Sequence, residues 1–456
     1  MTEFTPGPND FIAQRLQIRG SEGKCFTLSW AHQQYYLPGK PDVTLSAVCY
    51  LDDHTWQCAI TDDEAALANA FEASQTVTRD PYKTFLETAD KLGIQTLDLS
   101  APLPLETVVV PKPWGREIWY TGIEARGVCK IKGTPIPWLL SMAPELLAGH
   151  QQDVEPILLK ILDPLPDEVY GDLYFELHEQ KTEVYVVTHV NQAAWPDGTG
   201  RIRYGFDESA LSQFDSEKEF RQAYMQSVNA YRTVRAQVDE QLDQYRQAAG
   251  YASDEVVSPV ELEAWKAKLE PALNEKERQC RGTMDAFTAL HPLEVGDVVQ
   301  VRPLTPHALQ HGVRVIEFQT PHYERYILSF AQKVLTQSHW DTEVAAAKAR
   351  LSADLNPELT RVSESPGHHQ VDIIADFEQF EVYRVTLAPD ATWSLPSTDT
   401  YLIVAGVNGR NRIGSLLLEA EQACYIPAST ESLAIVNTDN GQSIALVALP
   451  GTNREL

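Results

Sequence analysis

Two carboxylates and two imidazoles in this sequence are spaced as the ligands of one metal ion would be. In the segment GDLYFELHEQKTE, residues 171–183, Glu176 and His178 stand two apart, so on a strand they share one face. After a break of four residues, Glu183 opens the next apolar run, which can fold back beside the first and carry a third donor to the same point. A fourth candidate, His307, ends the segment GDVVQVRPLTPH, residues 296–307. Imidazole and carboxylate together suit zinc, iron, manganese or nickel. Glu317 shares a strand face with Val313 and Val315, and an apolar interior around its carboxylate would raise its pKa into the range of a general base.

The elements that must hold these groups follow from periodicity. Residues 1–105 read as an α+β region of unassigned role, with strands at Cys25–Trp30, Thr44–Tyr50 and Trp56–Ile60 and helices at Asp62–Ala73 and Tyr82–Leu92. Leu99–Leu105 carries two prolines and reads as a linker. Residues 106–335 alternate as strands, strongest at Ile157–Asp163 and Glu183–His189, resuming at Gly296–Val301, Val313–Gln319 and Arg325–Phe330. Between them, residues 207–285 switch to helical spacing. Phe220, Tyr224, Val228, Tyr231, Val234, Val238, Leu242 and Tyr245 form one stripe, Ser216 and Glu219 a capping box, and Gly250 a stop. Ser258 and Pro259 open a second helix. Two β segments around a helical insertion imply one interrupted barrel. A helix at Thr342–Leu351 and a polar linker at Ser363–Gly367 fill residues 336–370, and residues 371–456 read as a second, smaller β-barrel without a ligand cluster, its strand pattern clear from Asp376. The fold class expected is mainly β with a helical insertion.

Composition narrows the function. The chain has 456 residues, too many for one core, and an ordinary 43% hydrophobic content. A net charge of -27 repels polyanions, which argues against nucleic-acid binding, and an anionic substrate would need a local cationic pocket. No apolar run is long enough to span a membrane, and the first residues lack a secretory pattern, so a cytoplasmic address is expected. Six cysteines lie scattered without a Cys-x-x-Cys pair and read as reduced.

The ligand spacing resembles the two cupin motifs, and more closely that of type I phosphomannose isomerases, where a Gln-Val-His motif is followed by Lys-x-Glu and later by Pro-His-Ala. Here those segments read Glu176-Leu177-His178, Lys181-Thr182-Glu183 and Pro306-His307-Ala308. Lys112-Pro113-Trp114-Gly115, the run Pro156–Asp163 and the run Gly312–Gln319 are similar to that family too, and the likeness extends from about Val108 to the end. The resemblance implies two jelly-roll cupin domains, a divalent ion, zinc first, held by Glu176, His178, Glu183 and His307, and isomerisation of mannose 6-phosphate to fructose 6-phosphate. It also implies active-site roles for Arg325, on the substrate oxyanion or phosphate, and for Lys181 at the cavity mouth. Trp114 and Lys160 match family positions but read equally as a core aromatic and a lysine whose stem packs. Glu176 departs from the family glutamine: two carboxylates and two imidazoles would neutralise a divalent ion and weaken it as a Lewis acid. The alternatives left open are a non-catalytic sugar- or metal-binding cupin, its first hundred residues serving a protein partner the sequence does not name, and an iron cupin oxygenase.

Overall fold

The computed structural model describes residues 23–52, 55–149, 155–252, 255–335, 337, 339–353, 355 and 359–451; the N-terminal stretch read above for a secretory pattern lies outside them. The chain is mainly β and divides into two compact units, one of Met1–Val108, Trp119–Leu159 and Leu359–Leu456, the other of Val109–Ile118 and Lys160–Glu358. No helix among the described residues is long and apolar enough to cross a membrane.

The first unit contains a four-stranded sheet of Lys24–Gln33, Asp42–Leu51, Trp56–Thr61 and Leu97–Asp98, against which the helices Glu64–Val77 and Pro81–Leu92 pack through Leu67, Phe85 and Ala89. Asp63 and Asp80 cap these helices, and Gly93 at φ 65° ends the second. A nine-stranded and a four-stranded sheet share the unit's other core, where Val371, Val385, Val404 and Val447 meet Ile413, Leu418 and Ile435.

Two expected linkers are strands. Leu103–Glu106 pairs with Ala423–Ile426 through Leu103↔Tyr425 and Pro104↔Cys424, and on its other side with Lys130–Ile131. A proline removes one donor from a ladder but keeps a φ that a strand tolerates, so a short pairing survives it. Thr360–Ser365 pairs with His369–Asp376, and Pro366 with Gly367, at φ 75°, makes the tight turn between them. The C-terminal β region therefore begins at Thr360, and the residues near 105 join its sheet rather than separating from it.

In the second unit, a six-stranded sheet runs in the order Val298–Val301, Glu183–Val190, Val313–Gln319, Leu158–Pro164, Gly115–Trp119, Val108–Lys112. A five-stranded sheet runs Thr288–Leu293, Gly200–Phe206, His307–Leu309, Phe175–Leu177, Tyr326–Ser329. Their inner faces share one core, to which Tyr185, Val187, Val299 and Val315 come from the first sheet and Ile202, Tyr204, Leu309 and Ile327 from the second. The helices Glu217–Ala248, Pro259–Lys266 and Pro271–Asp285 form the insertion. The long helix carries the expected stripe, from Phe220 to Leu242, with Tyr245 half-buried, and Ser216 accepts a hydrogen bond from the Glu219 N–H. Phe220 and Tyr224 pack on Phe175 and Leu177 in a second core, behind the strand that carries Glu176.

Gly115 sits at φ 144°, where a Cβ would lie 2.4 Å from the Asp163 carbonyl oxygen and 3.0 Å from the Leu165 nitrogen. Gly115→Ala is therefore expected to destabilise the second unit by about 2 kcal/mol or more. A urea midpoint equal to that of the unaltered protein would show that this close approach is dispensable.

Candidate metal centre

Burial of Phe175 and Leu177 against the helical insertion leaves Glu176 and His178 on the opposite face of their strand. On the neighbouring sheet, period-two alternation puts Glu183 on the inward face of Tyr185 and Val187. His307 opens a strand paired with that of Glu176, the two residues standing in register. The Leu304 N–H donates to the His178 carbonyl at 2.7 Å and ties the two distant stretches together.

Three of the four expected ligands converge. One donor atom from each of His178, Glu183 and His307 lies within 4.8 Å of the others, all buried, a set able to hold a metal ion. His307 Nε2 is 3.1 Å from Glu183 Oε2, and His178 Nε2 is 3.4 Å from Glu183 Oε1. Glu176 stands beside the set rather than in it: its Oε1 is 3.7 Å from His178 Nε2 and its side chain keeps 19% exposure.

The environment of His178 tests whether a cation fits. Its Nδ1 faces the Glu324 carbonyl oxygen at 2.7 Å, and a carbonyl only accepts, so the ring proton sits there. Burial, with Lys181 and His307 nearby, holds the ring's pKa well below its ordinary value, so Nε2 carries a lone pair. That buried lone pair has no hydrogen-bond partner among the described residues and points at a carboxylate. Burial raises the pKa of Glu183, but its cationic surroundings, the Lys181 ammonium first, outweigh it and keep the carboxyl well below its usual range. A lone pair facing a carboxylate is repulsive unless a cation lies between them, so the donor set fits a divalent ion. His307 Nδ1 likewise faces the Thr305 carbonyl oxygen, at 3.0 Å.

Lys181 caps Glu183 at 2.5 Å, and Tyr185 donates to its other oxygen at 2.6 Å. Glu317, on the next strand and paired across from Tyr185, is buried as expected. Burial pushes its carboxyl up to about 8, with Glu183 and Glu117 adding to the rise and Lys160 and Lys181 opposing it. Lys160 Nζ lies 3.3 Å from Glu317 Oε2. Burial alone would lower the pKa of Lys160, but Glu117, Glu317 and Glu183 hold it above the ordinary lysine value, and it stays charged. Arg325 lies over the Tyr174 ring, 4.6 Å from its centroid. These groups, with Trp114, line one pocket.

Three participants escaped the sequence reading. Glu117 sits on the buried face of Gly115–Trp119, where a charged residue next to an isoleucine reads as outward-facing. Lys112 stands in the sequence only as part of the Lys112-Pro113-Trp114-Gly115 motif until the sheet order sets its strand beside that of Glu117. Tyr185 was reachable by alternation from Glu183.

No protein-family model matches the chain, and no curated protein does. Solved structures do. The Bacillus subtilis mannose 6-phosphate isomerase superposes at a TM-score of 0.53 with 16% identity, covering 76% of this chain and 99% of its own. The apo form of the Salmonella typhimurium mannose 6-phosphate isomerase superposes at 0.53 with 12% identity, covering 77% and 100%. A zinc-bound mannose 6-phosphate isomerase structure superposes equally well, at 0.53 and 12% identity, over 77% of this chain and 100% of its own. Over three quarters of its length, this chain thus has the fold of the mannose 6-phosphate isomerases.

Zinc at about a hundred times its dissociation constant is expected to stabilise the protein by about 2.7 kcal/mol. His178→Ala should remove both that gain and the bound ion, read by thermal unfolding and by metal analysis after gel filtration. An equal gain in the variant would place the ion elsewhere.

Proposed function

We propose that this protein is a metal-dependent aldose–ketose isomerase of sugar phosphates, with mannose 6-phosphate and fructose 6-phosphate as the favoured pair, built on a jelly-roll cupin domain. The observation that carries this reading is a cation-fitting set, His178, Glu183 and His307, two of whose members, Glu183 and His307, line the same pocket as a buried carboxyl of raised pKa, Glu317. Three ligands with a further position open is the pattern of catalytic rather than structural zinc.

Isomerisation moves a proton between C1 and C2 through an enediol, and so needs a base and a partner for the oxygens. A divalent ion, when bound, would supply the Lewis acid that polarises those oxygens. Glu317 takes the proton from one carbon and returns it to the other. Its elevated pKa brings it close in basicity to the task at neutral pH. Lys160, charged beside it, holds the carboxylate in place. Trp114, Leu162 and Leu309 keep the walls apolar, and Arg325 orients the anionic end of the substrate.

Charge supports a phosphorylated substrate. Among the residues lining the pocket, Lys160, Lys181 and Arg325 balance Glu117, Glu176 and Glu183, with the Glu317 carboxyl neutral by its raised pKa, so a bound divalent ion leaves two positive charges. A phosphate monoester carries nearly two negative ones at neutral pH. This local balance, in a chain of net charge -27, gives an anionic sugar a reason to enter.

The expected outcome is metal-dependent conversion of mannose 6-phosphate in a coupled assay, with incorporation of solvent deuterium at C2. Glu317→Gln should lower kcat by about 10²- to 10⁴-fold while leaving metal content unchanged. The carboxylate is the working form, so kcat should rise with pH along a limb between the ordinary glutamate value and about 8, since a bound cation draws the pKa down. Zinc-loaded protein without turnover on any hexose or pentose phosphate would reject the reaction and leave the metal centre standing.

A further inference from the structure

Four buried charges cross the six-stranded sheet in single file, one from each of four adjacent strands. They are Glu317 on Val313–Gln319, Lys160 on Leu158–Pro164, Glu117 on Gly115–Trp119 and Lys112 on Val108–Lys112. The signs alternate from Lys160 outward. Lys160 Nζ lies 3.3 Å from Glu317 Oε2 and 3.8 Å from Glu117 Oε1, and Lys112 Nζ lies 3.2 Å from Glu117 Oε2. Each Glu117 oxygen therefore faces a different ammonium. Lys112 is not among the residues lining the pocket, so it lies behind the site.

We propose that Glu117, clamped from behind by Lys112, is a positioning residue that shares the Lys160 ammonium with Glu317 and so keeps Glu317 free to act as a base. This rests on the isomerase reading. With a single carboxylate partner, a buried ammonium would close onto both oxygens of Glu317 and hold it as an ion pair. A second carboxylate on the far side draws the ammonium back. Lys112 in turn engages the other Glu117 oxygen, so that Glu117 draws on Lys160 through one oxygen only. The other groups facing Glu317, namely Glu183, Tyr185 and Lys181, come from the opposite side of its strand and are engaged with one another, so they cannot replace Glu117.

Glu117→Gln removes the competing charge at constant size, and Glu117→Asp keeps it. In crystals of zinc-loaded protein, Lys160 Nζ is expected to move onto both Glu317 oxygens in the glutamine variant and to stay shared in the aspartate variant. In turnover, Glu117→Gln should lower kcat by about tenfold or more with KM little changed, and Glu117→Asp should recover most of it. Lys112→Met tests the clamp independently, should the glutamine variant fail to fold: Lys160 is then drawn toward Glu117 and away from Glu317. An unmoved Lys160 in either folded variant, or a moved Lys160 with kcat unchanged, overturns the proposal. If no form of the protein turns over a sugar phosphate, the isomerase reading fails, while the crystallographic shift still decides whether Glu117 shares Lys160.

Discussion

The inner face of the six-stranded sheet must bury charge without leaving any of it alone. An unpaired ion in such an interior costs several kcal/mol, and removing one partner of a buried pair typically costs about 3–5 kcal/mol. The strands meet this demand by complementarity. Glu183 faces Lys181, Glu317 faces Lys160, and Glu117 faces Lys112, at 2.5, 3.3 and 3.2 Å. Each buried carboxyl thus has an ammonium beside it before any ligand enters, and the apolar residues between them, Val313, Val315, Leu162 and Val299, can pack as an ordinary core. Because the Glu317–Lys160 and Glu117–Lys112 pairs run across strands, the register of the sheet and the electrostatics of the site are one constraint. A slip of one residue in any of these strands would turn its charge to the other face.

Of this, the sequence reveals what is local. Glu176 and His178 share a strand face because of their spacing, Glu183 heads the next apolar run, and the Pro-His-Ala segment marks a second strand of the same site. Convergence of His178, Glu183 and His307 followed from that pattern, and so did the burial of Glu317 beside Val313 and Val315. The long amphipathic helix and its cap were legible because helical periodicity over eight apolar positions is hard to mistake.

What depended on strand order was not legible. Nothing between Lys112 and Glu117 signals that Lys160 and Glu317, dozens and then hundreds of residues on, lie on the next two strands. Short strands interrupted by proline hid for a different reason. Leu103–Glu106 and Thr360–Ser365 are made by pairing with distant partners, and their local chemistry, proline in one and a polar run ending in Ser-Pro-Gly in the other, reads as linker. In the second case the Pro-Gly pair was a turn signal whose flanking strands were too polar to announce themselves.

Glu176 shows how the paired interior and the metal centre interact. The family resemblance predicts glutamine there, and a fourth ligand. The structure instead leaves this carboxylate beside the three converging donors, partly exposed and 3.7 Å from His178 Nε2. Since the buried carboxylates are already matched by lysines, a divalent ion would bring charge that the core does not offset, and Glu176, 3.7 Å from His178 Nε2, is a carboxylate able to offset part of it. Its Oε2 is buried without a hydrogen-bond partner among the described residues, as is the His178 Nε2 lone pair beside it. The departure from glutamine thus puts a second carboxylate beside the three converging donors without making it a member of the set.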